Sequence, residues 1–127
     1  MLAGFFAGGN LRRREEALPE YVPFLGGNRY SLDRMKAAFS GLTLETTRED
    51  LLLALIRGNA IYHGRHLAEV GAMVQLGRKV ATTGGGARLP GYTAAKKRWT
   101  GEFEYEYQDQ SSLLGAAMLG RDYLGYH

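Results

Sequence analysis

Helix-period and strand-period patterns alternate along this chain of 127 residues, and that alternation predicts a layered α/β fold. Two observations carry the prediction. Apolar and small residues recur at steps of three and four from Leu52 to Val74, the signature of one long helix. Beyond it, two short β-rich segments, residues 79–83 and 102–107, flank a glycine triplet and a second helical stretch. Only two strands, or three with residues 37–44, form a thin sheet for helices this long, so the sequence reads as part of something larger.

Composition narrows the class. Apolar residues make up 45% and the net charge is +3, so the chain can bury a core and is not of the disordered type. The longest aliphatic run, Leu51 to Ile56, is far short of the roughly twenty residues that span a bilayer. There is no cysteine, which removes disulfides, thiolate nucleophiles and cysteine-based zinc sites. The stretch MLAGFFAGGN has no basic residue ahead of its apolar part, so it does not read as a signal peptide, and a cytoplasmic location is expected.

In chain order, residues 1–20 form an irregular N-terminal segment. Its mixed-sign run Arg12-Arg13-Arg14-Glu15-Glu16 reads as a solvated turn rather than a nucleic-acid contact. Pro19 and Pro23 interrupt regular structure, Tyr21 to Leu25 is a short extended piece, and Gly26-Gly27-Asn28 is a turn. Residues 37–44 form a strand or buried turn. Thr46 with Glu49 fits a capping box opening a helix over 47–74. The inward positions of that helix are Leu52, Leu55, Ile56, Asn59, Ala60, His63, Leu67, Val70 and Val74. Gly58 and Gly64 each cost it about 1 kcal/mol against alanine and mark close packing.

Lys79 to Thr83 is a strand running into Gly84-Gly85-Gly86. Pro90 opens a helix over 90–99, which Thr100-Gly101 ends. Residues 102–107 alternate strictly, with Phe103, Tyr105 and Tyr107 inward and Glu102, Glu104 and Glu106 solvated, as on a half-buried strand near a sheet edge. Asp109 or Ser111 caps a last helix with Leu113, Leu114, Ala117 and Met118 inward.

Chemistry concentrates in Thr82 to Arg88, where a strand ends, three glycines turn and a helix begins. Glycines let backbone approach a ligand, and a helix start offers N–H groups with partial positive charge, so phosphate or a nucleotide is the natural guest. The segment is neither a Walker A loop nor the G-x-G-x-x-G fingerprint, and taken alone it is equally a tight strand-to-helix turn.

Four stretches in order, FLGGNRY, FSGLTLETTREDLLLALIRG, VATTGGGARLPGY and QSSLLGAAMLG, resemble the C-terminal portion of FGGY-type carbohydrate kinases, most nearly the ribulokinase- and xylulokinase-like branches. The resemblance runs from about Tyr21 to Leu124. It implies that residues 21–127 are the C-terminal portion of the second of two actin-like (ribonuclease H-like) ATPase domains, a few-stranded sheet with helices packed on it. In that family ATP, with Mg²⁺, phosphorylates a sugar or polyol hydroxyl in the cleft between the domains. By the resemblance, Gly84, Gly85, Gly86 and Ala87 match the adenosine-side loop, and Arg88 a basic or small polar position beside the nucleotide. Gly41 and Thr43 match a stretch lining the phosphate side. Ser111, Ser112, Gly115 and Ala116 match a small-residue helix start behind the nucleotide. One departure is Lys97-Arg98-Trp99 where the family commonly has an Ala-Asp pair. The family's catalytic aspartate, sugar site and first phosphate motif precede the region covered here, so no catalytic residue and no metal ligand is assigned.

The remaining polar clusters read as structural. His63 and His66 lack a third metal ligand at a suggestive spacing, the tyrosines suit core and rim packing, and Lys96-Lys97-Arg98 is the exposed side of a helix. The expected function is thus the ATP-binding, nucleotide-side part of a sugar kinase, inactive alone. The alternative is a nucleotide-binding or assembly module that kept the fold without the chemistry. ATP is the expected partner, and sugar only together with the absent first domain; neither nucleic acid nor membrane is expected. A strand edge or a swapped segment is expected to make the chain a homodimer.

Overall fold

Residues 15–24, 32–89 and 91–126 are described by the structure, a computed structural model. Their elements are β1 (Glu20–Val22), β2 (Ala38–Ser40), α1 (Arg48–Met73), β3 (Lys79–Thr82), a 3₁₀ turn (Gly85–Arg88), α2 (Tyr92–Thr100), β4 (Glu104–Tyr107) and α3 (Ser111–Tyr123). The fold is mixed α/β, with two separate two-stranded sheets among the described residues. In one, β1 and β2 run antiparallel with Tyr21 opposite Phe39, and their rings touch at a tilt of 40° with centroids 4.8 Å apart. In the other, β3 and β4 run parallel, pairing Lys79 with Glu104 through to Thr82 with Tyr107. A parallel pair requires a crossover, and the 3₁₀ turn and α2 provide it.

Helix α1 is the spine on which the rest packs. Leu53, Ala54, Ile56 and Ala60 are its buried residues. Of the positions expected inward, Ile56 and Ala60 are buried, while Leu52, Leu55, His63, Val70 and Val74 are exposed. The helix phase is set instead by its smallest residues. A Cβ built on Gly58 would stand 2.6 Å from the Tyr21 carbonyl oxygen, and one on Gly64 would stand 2.8 Å from that of Thr100. Between them, Ala60 gives its carbonyl to the Thr100 hydroxyl at 3.2 Å. So β1 lies on one part of α1 and the end of α2 on another. Both contacts bring backbone against backbone, which only residues without a large side chain permit.

The helix start differs by one residue from the expected Thr46–Glu49 box. Thr47 is the N-cap: its hydroxyl accepts the Asp50 N–H at 3.2 Å, and the Asp50 carboxylate accepts the Thr47 N–H at 2.9 Å. Thr46 is drawn instead into the preceding turn, where its hydroxyl accepts the Thr43 N–H at 2.9 Å. Residues 37–44 contain β2 as expected, but Phe39, Leu42 and Leu44 are exposed, so the segment is not a buried turn.

The segment ahead of β1 is strapped across two helices. Arg57 of α1 donates to the carbonyls of Glu15 at 3.0 Å and Pro19 at 3.1 Å. The Glu15 carboxylate accepts from the Trp99 indole at 2.7 Å and from Arg98. Burial by itself would raise the Glu15 pKa. Hydrogen bonds from Trp99 and Arg98, with the charges of Arg98 and Arg57, outweigh that and hold it below its ordinary value. Within this strap, Leu18 and Pro19 are buried. The basic run 12–14, the turn 26–28 and Pro90 lie outside the described residues.

At the other end, neither Asp109 nor Ser111 caps α3. The N-cap is Gln110 at φ 51°, with no side-chain cap. Asp109 is engaged elsewhere, as described below, and Ser111 is already the first helical residue. The expected inward face is also open: Leu113, Leu114 and Met118 are exposed, and α3 buries none of its residues. No helix among the described residues is long and apolar enough to cross a membrane.

Candidate functional site

Parallel strands send both of their carboxyl ends to the same edge of a sheet, and in open α/β sheets that edge is where ligands bind. Here β3 leads into the glycine turn and β4 leads into the start of α3. The hydrogen bond from Gln108 N–H to the Thr82 carbonyl, 2.8 Å, continues the ladder to that edge and holds the two exits together. The glycine turn Gly84 to Arg88 and the residues that lead into Ser111 therefore leave the sheet at the same edge.

The turn is built by its glycines. Gly84 has φ 91°, a region that favours glycine, and the 3₁₀ helix Gly85–Arg88 follows at once. The Ala87 N–H bonds back to the Gly84 carbonyl at 3.2 Å, and the Leu89 N–H to that of Gly86 at 3.2 Å. A Cβ on Gly84 or Gly85 would meet nothing within 4 Å. The bend is thus not walled in by side chains, and a ligand can reach its main chain.

Arg88 is committed to a partner. Its Nε donates to the Tyr107 hydroxyl and its Nη2 to the Asp109 carboxylate, both at 2.6 Å, while Tyr107 donates to the same carboxylate at 3.1 Å. These bonds clamp the turn onto the end of β4. They also raise the Arg88 pKa, Tyr107 contributing most, and with Arg88 foremost they lower that of Asp109. Arg88 keeps 60% of its side-chain surface in water, so the clamp does not bury the guanidinium. Sequence reasoning did not find Tyr107 and Asp109 as its partners. The signal, Asp109 two residues past an alternating strand, gains meaning only once the parallel register is known.

Gly41 and Thr43 stand elsewhere in the layout. They follow β2, whose partner is β1, and not β3 or β4. Gly41 has φ 74°, with open space where a Cβ would be, and the Thr43 hydroxyl accepts the Glu45 N–H at 3.3 Å. Neither residue lines the cavity beside the glycine turn, which Gly86 and Ala87 do line.

That cavity, about 440 Å³, lies between α1, the β3–β4 sheet and α2. Lys96 reaches it from α2, and His63 and His66 reach it from α1. Desolvation lowers the Lys96 pKa. Tyr105 lines it from β4; burial foremost raises its pKa, and its hydroxyl donates to the Gly101 carbonyl at 3.1 Å. Lys96 is consequently not wholly the exposed-face residue its neighbours suggest. Three successive basic side chains cannot share one side of a helix, and Lys96 falls on the inner one.

The parallel strand pair, the glycine turn at its carboxyl edge and the long helix behind them form a mixed α/β arrangement. The chain is similar in structure to xylulose kinase from Rhodospirillum rubrum, with a TM-score of 0.68 and 19% sequence identity. The likeness covers 94% of this chain and 28% of that one, so the chain spans little more than a quarter of that kinase's length. It shares the fold of part of an FGGY-family xylulokinase, in agreement with the resemblance carried by the sequence motifs. No protein-family model matches the chain, and no curated protein does.

Proposed function

We propose that this chain supplies the nucleotide side of a sugar-kinase fold: a C-terminal part that binds ATP and does not transfer phosphate by itself. The observation that supports this reading is the open glycine turn at the carboxyl edge of β3–β4. Main-chain N–H groups of Gly84 and Gly85 would face the nucleotide, since no side chain fills the space outside them. Arg88, held by Tyr107 and Asp109, fixes the turn's position and leaves part of its charge in solvent beside the ligand. Mg²⁺ would arrive on the ATP phosphates, where it neutralises charge. Phosphoryl transfer to a sugar or polyol hydroxyl depends on positioning and on a base that orients the acceptor, and no residue of this chain is assigned to that task.

Calorimetric titration of the full chain with ATP·Mg tests the reading. Micromolar binding is expected, and Gly85→Val, which puts a branched side chain into the open space, should weaken it at least tenfold. Absence of binding would overturn the ATP site. Turnover of a pentulose by the purified chain, well above background, would overturn the assignment of incompleteness.

A non-catalytic assembly role is the second reading, favoured by the open apolar face of α3 with Leu113, Leu114 and Met118. Under either reading the chain self-associates through that face or through a strand edge. A strictly monomeric sedimentation profile at high concentration would refute this.

A further inference from the structure

Behind the glycine turn, the cavity between α1, β3–β4 and α2 has a charge pattern unlike an ordinary core. Lys96 enters it half-buried, and His63 and His66 stand on the facing helix. Among the described residues no aspartate or glutamate lines it and Lys96 forms no ion pair. An ammonium group drawn out of water costs free energy unless an anion compensates it, and its lowered pKa expresses that cost. Thr83 and Thr93 add hydroxyl donors to the same wall, while Leu67 and Val80 provide apolar lining. At about 440 Å³ the space exceeds what a single phosphate fills and is of small-metabolite size.

We propose that this cavity is a binding site for a small phosphorylated compound, its oxyanion head on Lys96 between His63 and His66. The site lies on the inner side of the turn, lined by Gly86 and Ala87, and not at the open space outside Gly84 and Gly85. It does not depend on the ATP reading. A phosphate group suits it better than a carboxylate because Lys96 and Thr93 of α2 and Thr83 after β3 line the cavity from separate elements, and a tetrahedral oxyanion offers acceptors in several directions.

Sodium pyrophosphate is the probe. The full chain, with ¹³C-labelled histidine and ¹⁵N-labelled backbone, is titrated at constant ionic strength, with chloride as the balancing anion. The ring signals of His63 and His66 should move and saturate below millimolar probe. Lys96→Met should weaken that response at least tenfold, and Lys96→Arg should keep it within about threefold. The Gly84 and Gly85 amides, followed separately with ATP·Mg, report the outer face, so loss of either site is seen without the other. Unmoved histidine rings in the wild-type chain overturn the proposal whatever the variants do. So does a Lys96→Met response equal to wild type. Should Lys96→Met not fold, the wild-type and Lys96→Arg titrations decide alone: saturating shifts in both support the site, and loss of the response in either overturns it.

Discussion

Replacing Gly58 with alanine sets two opposed effects against each other in the middle of α1. Alanine favours an interior helical position over glycine by about 1 kcal/mol. Against that, the new methyl would lie 2.6 Å from the Tyr21 carbonyl oxygen, 3.0 Å from that residue's Cδ1 and 3.2 Å from its Cβ. Relief requires β1 and α1 to separate by roughly 0.8 Å, since ordinary contact begins near 3.4 Å. Backbone cannot rotate away as a side-chain tip can, and overpacking of this kind costs about 1–3 kcal/mol. The net expectation is a loss of about 1 kcal/mol. Gly120→Ala, inside α3 with nothing within 4 Å of its Cβ, is the matched control and should gain about 1 kcal/mol. Urea denaturation followed by circular dichroism measures both, and the melting temperatures should part by roughly 8 °C. Stabilisation of Gly58→Ala to the same extent as Gly120→Ala would refute the claim that β1 and α1 meet backbone to backbone.

Further expectations concern the strap, the clamp and the second glycine. Glu15 has its carboxyl pKa held below the ordinary value, so the stability it contributes is present above that ordinary value and is lost as pH falls through the lowered one. Fluorescence of Trp99, the single tryptophan, should report that loss in acid, and Glu15→Gln should flatten the pH dependence. Arg57→Met removes hydrogen bonds to the carbonyls of Glu15, Leu18 and Pro19 and should destabilise by about 2 kcal/mol in urea. Asp109→Asn should scarcely change stability, because the Arg88 pair is solvent-exposed, yet it should broaden the Gly84 and Gly85 amide signals as the turn loosens. Gly64→Ala, 2.8 Å from the Thr100 carbonyl oxygen, should destabilise as Gly58→Ala does.

The parts of this fold legible in the sequence are those decided by local pattern. The long helix, the short strand before the glycines, the alternating strand after them and the helix stop at Gly101 all follow from period and turn chemistry. The phase of α1 was legible only in part. Ile56 and Ala60 are buried as the stripe requires, but Leu53 and Ala54 are buried in place of Leu52 and Leu55, a choice made by where β1 and α2 press on Gly58 and Gly64. The cap moved from Thr46 to Thr47 for a related reason: two adjacent threonines compete, and the turn back to Thr43 takes the first. At the candidate site, the glycines announced themselves, whereas the Arg88–Tyr107–Asp109 clamp and the inward Lys96 required the parallel register and the packing of α2 on α1.

The two hydrogen-bond ladders share no strand, and α1 carries an element of each half at a different point along its length. Coupling between the halves therefore runs along one rod, roughly 39 Å long for its 26 residues, and through the strap that ties Glu15 to Arg98 and Trp99. Solvent deuterium should exchange fastest at β1 and β2 and slowest in the Leu53–Ala60 stretch of the rod. Peeling away the first ladder would then leave the glycine turn's own strand pair formed.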